Sequence, residues 1–286
     1  MRGMLKRNLS IYFRDKAAVF FSLFGALLII VLYALFLGDT MTDSIQMDIN
    51  GAFIMNSWVM GGLIAAATMT TSMGAYGVMV NDEANKNYRD FYTSPVKKSK
   101  IIGAYMLNSI AIGVIMTLIT FALAEIYIVA NDGELLTAQQ ALKVFGVIFL
   151  TVLSSSSIVG FTCTFLNSSQ SFSGCSILIG ASIGFLVGAY VPIGHLPDAV
   201  QKVMCFLPCT HSAALLRQIM TETAIEIGLK DFPEEFILGF REEMGILIKI
   251  GDTQCTPNIH LAFIIGSAVL FYLLSLIRIT FFKKTK

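Results

Sequence analysis

AAVFFSLFGALLIIVLYALFL, residues 17–37, carries no charged side chain and closes on Gly38-Asp39. An apolar helix of roughly 20 residues is long enough to cross the hydrocarbon core of a bilayer. A basic amphipathic stretch precedes this one and no small-residue cleavage site follows it, so it reads as a span rather than a removable leader. Working outward, further apolar runs occupy residues 53–80, 101–130, 141–166, 172–191 and 259–279. The expected fold is therefore an all-α integral membrane protein of six transmembrane helices forming one domain over 1–286. The boundary between the fourth and fifth runs is the least marked, with only residues 167–170 between them.

Composition agrees with the spans. Of 286 residues 55% are apolar and 14% charged, with mean hydropathy +0.73. A soluble domain carries about a quarter charged residues, so this chain lacks the polar surface to face water all round. A net charge of +1 gives no electrostatic reason for a nucleic-acid partner.

Charge sorted by connection sets the orientation. Bases cluster at Arg2, Lys6, Arg7, Arg14 and Lys16, again at Lys86, Arg89, Lys97, Lys98 and Lys100, and in the tail at Arg278, Lys283, Lys284 and Lys286. Residues 38–52 hold three aspartates and no base, 131–140 hold two acids and no base, and 192–258 hold nine acids against five bases. Basic and acidic connections alternate, as the positive-inside rule requires of six spans with both termini cytoplasmic. Residues 1–16 place Met4, Leu5, Leu9, Tyr12 and Phe13 opposite the bases, the pattern of an interfacial helix. Between Pro192, Pro197 and Pro208 the apolar segments are too short to span, so an outer re-entrant hairpin is expected, followed by a small extracellular insertion over 221–257.

No GxxxxGK[ST] phosphate loop, HExxH or GxSxG motif occurs, and no catalytic residue or metal site is expected. His195, His211 and His260 read as scattered loop or interface histidines. Cys163 and Cys175 lie in apolar runs; Cys255 could pair with Cys205 or Cys209, or all three could stay thiols. Intramembrane charge, the usual mark of an ion-coupled carrier, is confined to Glu125 and Lys143 near span ends, where a salt bridge and separate hydration both fit.

Two stripes remain. Ser176, Gly180, Gly184 and Gly188 recur every four residues, a small-residue seam for helix packing within one chain or between two. Asn56, Met60, Thr68, Met69, Ser72 and Met73, with Ser57, Gly61 and Thr71, give the second span a polar, adaptable face, fit for packing or for lining an amphipath's path.

The most informative connection is NDEANKNYRDFYTSPVKKSK, residues 81–100. Asp82 and Glu83 precede the bases in the order a helix favours, and Pro95 forces Ser94 out of the helical region. A short helix, a sharp turn beside Phe91 and Tyr92, and a basic entry into the third span are expected. Here the sequence resembles the membrane subunits of type-two ABC exporters, through Asp82, Glu83, Arg89, Thr93, Ser94, Pro95, Val96, Lys97 and Gly103. Pro192, Leu196-Pro197, Leu207-Pro208 and Arg217 resemble that family's outer stretch, and the interfacial helix is similar as well.

The resemblance implies a permease dimer, of identical or homologous subunits, standing on two cytoplasmic ABC ATPase subunits that carry the ATP and Mg. It implies that 81–100 includes a coupling helix, with Asp82, Glu83, Arg89, Tyr92, Thr93, Ser94 and Pro95 at the ATPase contact. It implies outward export of a drug-like, lipid-like or peptide amphiphile, along a path lined by spans two and five, across a plasma membrane, bacterial by the chain's small size and separate ATPase. The insertion is longer than in the smallest members, and as cap, partner site or lid it leaves the substrate open. Two other readings stay open: an ion-coupled carrier, and a non-transport immunity or sensor protein that binds a peptide through the insertion.

Overall fold

The computed structural model describes residues 2–32, 49–87, 98–251 and 253–282. Helix α1 (Arg2–Arg14) leads through Asp15 into α2 (Lys16–Leu32), then α3 (Ile49–Ala84), α4 (Lys98–Ala130), α5 (Ala138–Cys163) and α6 (Ser169–Leu186). After a single 3-10 turn (Ile193–His195) come α7 (Asp198–Met204), α8 (Pro208–Met220), α9 (Glu222–Gly228) and α10 (Glu234–Glu243). A two-stranded antiparallel hairpin, β1 (Lys249–Ile250) and β2 (Thr253–Gln254), precedes α11 (Pro257–Ile277), which ends in a π turn (Arg278–Phe282).

Five helices among the described residues, α3, α4, α5, α6 and α11, are long and apolar enough to cross a membrane. The chain is thus an α-helical, multi-pass membrane protein. The expected first span is described as helix to Leu32 only; its remainder lies outside the described residues. The expected fifth span, α6, stops at Leu186, short of the expected 191, because Gly188 takes φ +63 and turns the chain. A left-handed residue ends a helix at low cost only where no Cβ is present.

Local chemistry explains the ends. Thr137 and Gln140 form a reciprocal capping box on α5, and Ser168 caps α6 through the Ser171 amide. The Asp15 side chain accepts from the Ala18 amide and opens α2. Pro208 and Pro257 stand in the first turns of α8 and α11, where the missing N–H is no loss.

Helix α3 is the central element, packed by α2, α4, α5, α6, α8 and α9, while α5 also holds α11. The main apolar core runs through Trp58, Leu63, Ile64, Val152, Val187 and Leu216, and a second cluster at the other end joins Tyr12, Tyr76, Val80, Tyr105 and Ile112. The interfacial helix is not free of this core. Tyr12 is 2% exposed, packs near Gly74 and donates to Ser22 Oγ at 2.8 Å. Arg7, Lys100 and Arg278 lie at one end of the bundle (the basic end), and the segment from α10 to β2 forms a cap at the other.

Candidate functional site

At the basic end, α1, α3 and α4 meet on one carboxylate. Asp82, 4% exposed near the end of α3, accepts from Arg7 Nη1 at 2.7 Å and Nη2 at 2.6 Å, a bidentate ion pair. The Tyr105 hydroxyl donates to the same group at 2.7 Å, and Asn87 Nδ2 at 3.2 Å. Arg7 also reaches Asn8 Oδ1 at 2.9 Å. One residue before Asp82, Asn81 Oδ1 accepts from Ser169 Oγ at 3.1 Å, tying in the first turn of α6. A carboxylate buried this deeply is tolerated because its lone pairs are met by charged and neutral donors.

Asp82 therefore turns inward, and Glu83 is half-buried beside it. Arg89, Tyr92, Thr93, Ser94 and Pro95 lie outside the described residues. Asn87 is the last described position before them, so the stretch they occupy starts directly from the Asp82 network.

The polar face of α3 points into the bundle. Asn56, Met60, Thr68, Ser72 and Met73 are buried and Met69 is half-buried. Thr68 Oγ1 lies 3.0 Å from Ser155 Oγ, and Ser72 Oγ 3.2 Å from Ser156 Oγ, which is also 3.0 Å from Ser109 Oγ of α4. Ser154 Oγ meets Ser267 Oγ of α11 at 2.7 Å. The run 154–157 thus hydrogen-bonds to α3, α4 and α11 at once, because successive residues turn by about 100° around a helix axis. Sequence reasoning missed this run, although four consecutive hydroxyls inside an apolar span were visible. Asn108, fully buried next to Ser109, has no partner for either amide atom among the described residues.

Such interhelical hydroxyl bonds average about 0.6 kcal/mol. Ser156→Ala is accordingly expected to lower stability in detergent by no more than about 1 kcal/mol. Gly160→Val is expected to cost more, since a Cβ at Gly160 collides with the Tyr76 hydroxyl and ring. Thermal unfolding of the two variants side by side checks the order.

The small-residue stripe divides. Ser176 is half-buried, Gly180 is exposed with nothing within 4 Å of a would-be Cβ, and Gly184 packs on the Tyr190 ring. Gly188 lies beyond the helix, so it does not extend the stripe. On the same helix Ile177 and Leu178 are 72% and 67% exposed.

Toward the cap, Arg217 of α8 is fully buried and lies over the Trp58 ring at 4.2 Å. Its Nη2 donates to the Gly188 carbonyl at 2.8 Å and its Nε to the Trp58 carbonyl at 3.3 Å; Nη1 has no partner among the described residues. Trp58 in turn donates to the Met244 carbonyl at 2.7 Å, joining α3 to the cap. The expected distribution of histidines is corrected here: His211 and His260 are buried in contact with one another. No disulfide joins the cysteines among the described residues, and Cys205 and Cys255 lie in one apolar cluster. Among the described residues no group of three or more metal-ligating side chains forms.

A family model described as ABC-2 type transporter matches residues 1–221. No curated protein and no solved structure matches the chain.

Proposed function

Because the chain belongs to the ABC-2 type transporter family, whose membrane component is not itself the ATPase, we propose that it is the permease of an ATP-driven exporter of an amphipathic substrate. In this reading two permease subunits, identical or homologous, stand on two cytoplasmic ABC ATPases, which bind the ATP and Mg. The basic end is cytoplasmic and the cap is outside, in keeping with the alternation of basic and acidic connections. In this reading the membrane is a bacterial plasma membrane.

The observation that carries the proposal is the Asp82 network. It lies where the segment 88–97 leaves α3, and it bonds that point to α1 and α4. A push on the segment from an ATPase reaches those helices as one body, since a bidentate ion pair and a phenol bond resist shear together. Arg89, Tyr92, Thr93, Ser94 and Pro95 are assigned to the docking surface, and the Asp82 network anchors the end of α3 ahead of them in the chain. The exposed face of α6 around Ser176 and Gly180 faces the second permease or lipid. The adaptable face with Asn56, Met60, Thr68, Met69, Ser72 and Met73 borders the path when the bundle opens.

Lys86, exposed just past α3, offers the test. A single cysteine there, in a cysteine-free chain, is expected to cross-link to an ATP-binding polypeptide in inside-out vesicles. Labelling of that cysteine only from the outer face of sealed cells would overturn both the orientation and the docking.

A further inference from the structure

His211 of α8 and His260 in the first turn of α11 are fully buried, with Nδ1 atoms 2.7 Å apart. The His211 ring also stacks on Phe263 at 4.1 Å. His211 Nε2 lies 2.8 Å from the Cys205 carbonyl, which can only accept, so Nε2 carries the proton. His211 Nδ1 is then the acceptor and His260 Nδ1 the donor. That leaves His260 Nε2 as an acceptor, with Gln218 Nε2 at 3.4 Å. The same Gln218 nitrogen donates to the Ile246 carbonyl at 2.9 Å, in the connection between α10 and β1.

These bonds run in one direction and hold one proton per ring. The Cys255 carbonyl also bonds the His260 ring, but an added proton at His260 Nε2 would face the Gln218 N–H. If the amide rotates to offer its oxygen, its nitrogen leaves Ile246. We propose that His211 and His260 are a proton-binding latch, which takes one proton from the medium in acid and thereby releases the cap from α8. By the orientation above the medium is the outer one, but the latch does not depend on that reading.

The titratable and charged groups on the elements packed around the pair are Arg217 and Cys209 on α8, Cys205 before it, Cys255 before α11, Lys143 on α5 and Glu222 on α9. None of them forms an ion pair with either ring among the described residues. His195 Nε2 lies 2.7 Å from Glu243 Oε1, exposed at the rim of the cap and apart from the buried pair.

Hydrogen–deuterium exchange of the full chain in detergent, corrected for intrinsic rates, tests the latch between about pH 7.5 and 5.5, where histidine titrates. In residues 233–256 the opening constant is expected to rise on acidification by up to about tenfold per pH unit, the slope of one-proton linkage. His211→Gln and His260→Gln are expected to flatten the rise, and His195→Gln to leave it. No rise in the unmodified protein, or a rise that survives His260→Gln, would overturn the proposal. If neither variant folds, 15N spectra of the unmodified protein's imidazoles decide instead. Protonated His260 Nδ1 with bare His211 Nδ1 at neutral pH supports the latch, and any other tautomer pair overturns it.

Discussion

Arg7→Ala is expected to destabilise the subunit by about 1–3 kcal/mol and to abolish transport while leaving membrane insertion intact. The figure is below the full range for a broken buried pair because the Arg7 side chain is 35% exposed, against 6% for Asp82. Without the guanidinium, Asp82 keeps Tyr105 and Asn87 but loses the charge that made its burial tolerable. Asp82→Ala should be milder in stability, since Arg7 can turn to water, yet equally damaging to transport because the ion pair joining α1 to α3 is then lost. In the double variant neither group is left unmatched, so its loss of stability should fall short of the sum of the two. Thermal unfolding of the four proteins measures the coupling, and strict additivity would show that the pair does not act as a unit.

The second large effect is expected at Arg217. Arg217→Ala removes a desolvated cation–π contact worth about 2 kcal/mol, two charged hydrogen bonds, and the filling of the space over Gly61 and Gly62. A loss of about 3 kcal/mol or more follows, enough to unfold a marginal subunit. Arg217→Met keeps most of the volume and removes the cation, whose Nη1 has no partner among the described residues, so it should be far better tolerated. Gly62→Ala approaches from the other side: its Cβ would stand 2.6 Å from Arg217 Nη2 and push it off the Gly188 carbonyl. Recovery of folded protein by size-exclusion profile, with the order Met above Ala, checks this. An equal loss in both variants would mean that the positive charge itself holds α8 to α3, and the reverse order that the side-chain volume contributes nothing there.

What could be read from the sequence and what could not divides along physical lines. The helices α3, α4, α5 and α11 are marked by apolar runs of span length, a short-range signal. The end of α6 was misjudged because Ala189, Tyr190 and Val191 continue the apolar run past the turn at Gly188. Gly188 therefore reads in sequence as one more small residue of a stripe, whereas in the structure it turns the chain. Asp82 stood out as part of a loop pattern, but its partner Arg7 is 75 positions away, and nothing local names that pairing. The same holds for Arg217 with Trp58 and for His211 with His260, contacts set only when α8 enters the bundle. The serine run was legible as composition; which helix each hydroxyl meets depends on the packing of α5.

In the proposed reading this chain moves its substrate on energy supplied by a docked ATPase. ATP hydrolysis in tagged protein purified from its native membrane in mild detergent, with Pro95→Ala as the control, tests it most directly. The expected result is a co-purifying ATP-binding subunit with activity, both weakened by the substitution. A stable, folded preparation with neither subunit nor activity would contradict it.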